Sequence, residues 1–124
     1  MINKIGQVML YVNNQDASKD FWTEKMGFEI IADETNGPMR WVEVAPKGAA
    51  TSIVLHSKEF VAKMNPEMYL GTPSIMYFSD NLDALYKDLQ NKNVKVGDIV
   101  EAPFGRVFNF EDAEENYFAV CEKK

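Results

Sequence analysis

One pattern occurs twice in this chain: a short apolar strand, a break containing asparagine, and a helix. In residues 5–12, Val8, Leu10 and Val12 point to one side of a strand while Gln7, Met9 and Tyr11 point to the other, by the two-residue period of extended backbone. Asn13-Asn14-Gln15-Asp16 interrupts that strand, and Asp16 is placed to cap the next helix. Residues 17–26 form it, with Ala17, Phe21 and Trp22 as an apolar stripe and Gly27 as its stop. Residues 28–32, 39–45 and 51–56 read as three further strands, parted by turns at Asn36-Gly37-Pro38 and Pro46-Lys47-Gly48. The order then repeats. Residues 74–79 are a strand, Asp80-Asn81 a break, and residues 82–91 a helix. That helix carries Leu82, Leu85, Tyr86 and Leu89 at i, i+3, i+4 and i+7. Short strands follow near 94–100, 106–110 and 117–121. A constant shift of 67 residues matches Met9 with Met76, Asn14 with Asn81, Asp16 with Asp83, Ala17 with Ala84 and Lys25 with Lys92. The chain therefore reads as a single α+β domain of two βαβββ modules in tandem, about 1–57 and 74–124. Each is too small to close a core by itself.

Between the modules, residues 58–73 are the least regular. Phe60, Val61, Met64, Met68, Tyr69 and Leu70 are too apolar for an idle linker, and Pro66 forbids one continuous helix. The segment either packs on the sheet edge or covers a pocket, with Met adapting to ligand shape.

Composition narrows the function classes. With 124 residues, 46% hydrophobic and 26% charged, the chain has the balance of an ordinary globular domain and needs no disulfide or structural metal to fold. Its one cysteine, Cys121, cannot bridge internally, which suits a reducing, cytoplasmic setting. No apolar run is long enough for a membrane span, and the opening MINKIGQVMLYV lacks the features of a signal peptide. The net charge of −6 argues against nucleic-acid binding and permits a cationic small molecule. There is no G-x-S-x-G elbow, phosphate-binding glycine loop or C-x-x-C pair.

Val8-Met9-Leu10-Tyr11-Val12, then Asp16-Ala17-Ser18-Lys19-Asp20-Phe21-Trp22, then Met26-Gly27-Phe28 resemble the opening strand, helix and "LGF" turn of the vicinal-oxygen-chelate superfamily. That superfamily includes glyoxalase I, extradiol dioxygenases, fosfomycin-resistance enzymes and bleomycin-binding proteins. Arg40-Trp41-Val42 and Ile53-Val54-Leu55 fit its later strands, and residues 112–120 match its "DPDGN" turn at Asp112 and Asn116 only. The resemblance implies a curled mixed sheet around a cleft, with helices on the outer face. In its enzymes the first and fourth strands of each module supply four ligands to a divalent metal, positions that fall here on Gln7, Val54, Ser74 and Ala119. One neutral amide, one hydroxyl and two hydrocarbon side chains leave no anion to offset such an ion, so neither a metal nor another cofactor is expected.

Strand alternation lists what lines the cleft instead. Gln7, Met9 and Tyr11 come from the first strand, Trp41 and Glu43 from the third, and Ser52, Val54 and His56 from the fourth. Ser74, Met76 and Phe78 come from the fifth, and Tyr117, Ala119 and Cys121 from the last. Tyr11, Trp41, Phe78 and Tyr117 either stack on a planar or cationic ligand or serve as plain core. Glu43 either pairs with a cation or is a solvated strand charge. Arg106 either binds an anionic group near the cleft mouth or forms a surface ion pair, and His56 is an edge histidine unless the cleft recruits it. The leading expectation is a metal-free protein that binds or sequesters a small aromatic or cationic molecule, as bleomycin-binding proteins do, and works as a homodimer. A metal-dependent lyase, isomerase or dioxygenase of the same superfamily is the alternative.

Overall fold

The helix after the first strand of each module is capped by an asparagine. In the computed structural model, which describes residues 1–123, the Asn14 side chain accepts from the Ala17 N–H and Asn81 accepts from Ala84 N–H. Each satisfies a backbone donor that the first helical turn leaves open. The first cap is thus Asn14 rather than Asp16. Asn14 has extended backbone and sits three residues before the amide it bonds, whereas Asp16 lies inside the first turn. There its charge favours the helix N-terminus, and it reaches Arg40 at 2.8 Å.

The chain divides into two units, residues 1–72 and 73–124. In the first, β1 (Gln7–Val12) leads into α1 (Gln15–Asp20). The expected helix to residue 26 continues as a π-helical turn over Phe21–Lys25, closed by the Met26 N–H on the Phe21 carbonyl. Phe21 and Trp22, adjacent in sequence, are both buried. Gly27 ends the turn with φ +76°, a conformation that disfavours any residue with a Cβ. Then come β2 (Glu29–Asn36), β3 (Met39–Ala45), β4 (Ser52–Ser57) and α2 (Lys58–Met64). β2 and β3 form a hairpin across Gly37-Pro38, with Gly37 at φ +61°, the position a type II′ turn reserves for glycine. The sheet order is β1-β4-β3-β2, with β1 parallel to β4 and the other pairs antiparallel.

The second unit repeats this plan with β5 (Met76–Ser79), α3 (Leu82–Asn91), β6 (Val100–Ala102), β7 (Gly105–Glu111) and β8 (Tyr117–Glu122), in the order β5-β8-β7-β6. Two boundaries differ from expectation. Ser74 precedes β5 instead of lying in it. The strand expected over 94–100 begins only at Val100, leaving Val96 as an isolated bridge to Phe110, with Gly97 and Asp98, poor strand formers, between them. In the inter-module segment, Ser57 caps α2 and the helix stops before Pro66, as proline demands.

In each unit the helix covers one face of the sheet. Leu10, Val12, Val42, Val44 and Leu55 are wholly buried on the α1 side, and Phe108, Phe110, Phe118 and Val120 on the α3 side. A matching ion-pair cluster seals both helix–sheet seams. Arg40 of β3 joins Asp16 of α1 to Asp33 of β2, and Lys19 adds a third contact to Asp33 at 2.8 Å. Arg106 of β7 joins Asp83 of α3 to Glu122 of β8. The hydrogen bonds from Arg40 and then Lys19 hold the Asp33 carboxyl well below the usual carboxylate range. The repeat thus extends beyond the cap asparagines to a helix aspartate and a strand arginine.

Candidate functional site

The other face of the first sheet carries no helix, and strand register decides what meets there. β1, β4 and β3 align Tyr11 with His56 and His56 with Trp41. One step along the strands, Met9 aligns with Val54 and Val54 with Glu43; beyond that, Gln7 aligns with Ser52. The face is therefore graded, from an aromatic row through Met9 and Val54 to a polar end where Glu43 reaches Ser52 beside Gln7.

At the aromatic end, Gln7, Met9, Asn36, Met39, Trp41, Val54 and His56 line an open concavity of about 370 Å³. Tyr11 stacks on His56 with ring centroids 6.2 Å apart, and its hydroxyl lies 3.8 Å from the Met68 sulfur. At the polar end a wider depression of about 630 Å³ is bounded by Lys4, Gln7, Met9, Ile31, Glu43, Ala49, Ala50 and Ser52, among others. Glu43 accepts a short hydrogen bond from the Ser52 hydroxyl. Gln7 and Met9 belong to both depressions.

Burial holds the His56 imidazole below its ordinary range. The folded protein therefore binds the His56 proton less readily than the unfolded chain does. The stability tied to this group is complete above the unfolded value of 6.5 and falls as the solution is acidified below it. As His56 is the one histidine in the chain, its proton NMR titration is unambiguous. The midpoint is expected below 6.5; a midpoint at or above that value would contradict the burial argument.

The remaining sequence-derived residues belong to the second unit. Met76, Phe78 and Tyr117 are exposed on the helix-free face of its sheet, where Met76 pairs with Ala119 and Phe78 with Cys121. Tyr117 donates to Glu111 and the Lys123 ammonium sits over the Phe78 ring at 5.7 Å. Ser74 lies outside the strand. Arg106 lies on the opposite, helix-bearing face, its guanidinium shared between Asp83 and Glu122. Several lining residues were not anticipated, Met39, Asn36 and Ile31 among them. Met39 is two residues before Trp41 and could have been found by the same alternation. Asn36 faces it across the hairpin. Ile31 enters because a bulge between Ile30 and Ala32 shifts the register of β2, which periodicity does not reveal.

Residues 4–120 match the model of the glyoxalase/bleomycin resistance protein/dioxygenase superfamily. The chain belongs to that superfamily. It is 36% identical to the uncharacterized protein YetH of Bacillus subtilis, over 98% of this chain and all of that one. Among solved structures it is similar to TnmS3, an antibiotic binding protein from Streptomyces sp. CB03234. That match has a TM-score of 0.86 and 31% identity and covers 99% of this chain and 98% of TnmS3. UcmS2 follows with a TM-score of 0.81 and 30% identity over 98% of both chains.

The four positions that the resemblance assigns to metal ligands are Gln7 on β1, Val54 on β4, Ser74 before β5 and Ala119 on β8. A divalent cation of that class draws on imidazole, thiolate or carboxylate donors, and none stands at these places. Nor do three His, Cys, Asp or Glu side chains gather elsewhere among the described residues. The donor set does not fit a metal. At the far end of the second unit, Asp112 and Asn116, the two residues shared with the superfamily's turn, bond to one another and organise the loop before β8. Glu115 occupies the position of the turn's glycine, with φ +64°.

Proposed function

We propose that this protein binds, and by binding sequesters, a small planar aromatic or cationic molecule on the helix-free face of its first sheet, without a metal. The observation that carries the reading is the row Tyr11–His56–Trp41, of which His56 and Trp41 line the 370 Å³ concavity together with Met9, Met39 and Val54. Aromatic rings backed by methionines offer stacking and adaptable apolar contact, and mostly apolar lining with few polar groups is what small-molecule sites present. Each ring contact is worth roughly 0.5–2 kcal/mol. TnmS3 is an antibiotic binding protein, which supports a ligand of that general kind. The lack of an imidazole or carboxylate at the four ligand positions favours binding over metal-assisted chemistry. A homodimer belongs to the same proposal, since Met76, Phe78, Val100, Phe104 and Tyr117 leave an apolar surface on the second unit of the kind that partners cover.

Trp22 is wholly buried whereas Trp41 faces the concavity, so ligand-dependent quenching of tryptophan emission reports on Trp41. Titration with planar polycyclic compounds is expected to give saturable quenching and a rise in Tm. Stoichiometric, tightly held zinc, nickel, manganese or iron in the purified protein would overturn the metal-free reading in favour of a metalloenzyme.

A further inference from the structure

Glu43 is electrostatically unlike the other strand carboxylates that are shielded from solvent. Asp33 is paired with Arg40 and Lys19, Glu111 with Lys95, and Glu122 with Arg106. Glu43 is half-buried on β3 and is held by one neutral donor, the buried Ser52 hydroxyl, with no cation against it among the described residues. Lys4 borders the same depression but is exposed and makes no ion pair with it. A half-buried carboxylate with a single neutral hydrogen bond is incompletely compensated for the water it has lost.

From this we infer that Glu43, oriented by Ser52, is the specificity-determining residue of the face, selecting planar ligands that carry a protonated nitrogen. The inference rests on the aromatic-face reading and sharpens it. Glu43 and Trp41 are two residues apart on one strand, which separates their side chains by about 7 Å along the sheet. A ring lying on Trp41 and His56 therefore reaches Glu43 with an ammonium one or two bonds beyond its edge. The contact is a charge-assisted hydrogen bond that completes the carboxylate's shell. Gln7, beside Ser52 in the register, supplies an amide at the same end.

The test uses a matched pair of probes with one ring system, 9-(aminomethyl)anthracene, cationic at pH 7, and the neutral 9-(hydroxymethyl)anthracene. The intact protein is expected to bind the amine about five- to tenfold more tightly, a ratio that falls with added salt. Glu43→Gln, which keeps an acceptor for Ser52, is expected to bring the two affinities together, chiefly by weakening the amine. Ser52→Ala is expected to reduce the preference without abolishing it. Equal affinities in the unaltered protein, or an undiminished preference in Glu43→Gln, would overturn the inference and leave the aromatic-face reading standing. Failure of both probes to bind the unaltered protein would overturn both. Should Glu43→Gln not fold, the probe ratio and its salt dependence in the unaltered protein decide.

Discussion

Replacing Trp22 with alanine is expected to destabilise the protein by about 3–5 kcal/mol, the cost of emptying a large aromatic site. Trp22 is 0% exposed. Its ring lies edge-on to Phe21 at 5.2 Å and tilted on Phe28 at 5.3 Å, so the cavity would border two other rings that cannot both collapse into it. Against a total stability of about 5–15 kcal/mol for a typical domain, the loss would leave a marginal fold. Urea unfolding measures it through the midpoint and slope. A cost below about 1.5 kcal/mol would mean that the site refills and that the π-helical turn is not anchored by this ring. Trp22→Phe, which keeps an aromatic group against both neighbours, is expected to lose substantially less.

Trp41→Ala should separate binding from folding. Trp41 is half-buried on the helix-free face, so its removal is expected to change stability by no more than about 1 kcal/mol. Affinity for a planar aromatic probe is expected to fall about ten- to thirtyfold, the effect of deleting a central aromatic anchor. Trp41→Phe, retaining a ring, is expected to recover most of that loss. Titration calorimetry with the probe reads the Kd of all three proteins. An unchanged Kd in Trp41→Ala would remove the aromatic row from the site and with it the proposed function.

Much of the fold was legible because it is local. The residues 82–91 helix is found at its expected bounds, since a four-residue apolar stripe and a preceding asparagine are features of consecutive positions. Asn14 and Asn81 were matched by the shift of 67, and both are helix caps. Asn13, Asn14, Gln15 and Asp16 can all accept a hydrogen bond, so local sequence does not distinguish Asn14 from Asp16 as the first cap. The second element of the repeat, Arg40 with Arg106, escaped notice because these residues are 66 apart, one short of the shift. Only their shared role, bridging a first-turn aspartate to a neighbouring strand, makes them equivalent.

The candidate site was legible in part. Alternation placed Gln7, Met9, Tyr11, Trp41, Glu43, Ser52, Val54 and His56 on one side of their strands, and it missed Met39 only by omission. For Arg106, alternation along the strand sets it with Phe108 and Phe110, on the helix side. Its ion pairs with Asp83 and Glu122 depend on where α3 lies, which no local pattern specifies.

Sequence alone determined the order of most elements, the duplicated module and, outside the β2 bulge, which face the strand residues take, because propensity, capping and the two-residue period act between near neighbours. The resemblance it carries is also the source of the expectation that Gln7, Val54, Ser74 and Ala119, none of them anionic, stand where the superfamily's enzymes hold a metal. Only the tertiary structure decided which residues stand side by side. The order β1-β4-β3-β2 and its register bring Gln7, Ser52 and Glu43 together at one end and Tyr11, His56 and Trp41 at the other. These contacts join positions 9 to 45 residues apart in the chain, and a shift of one residue in pairing would send a whole strand's side chains to the opposite face. The single histidine is one such case: its place beside Tyr11 and Trp41, and the burial that lowers its proton affinity, arise from strand pairing.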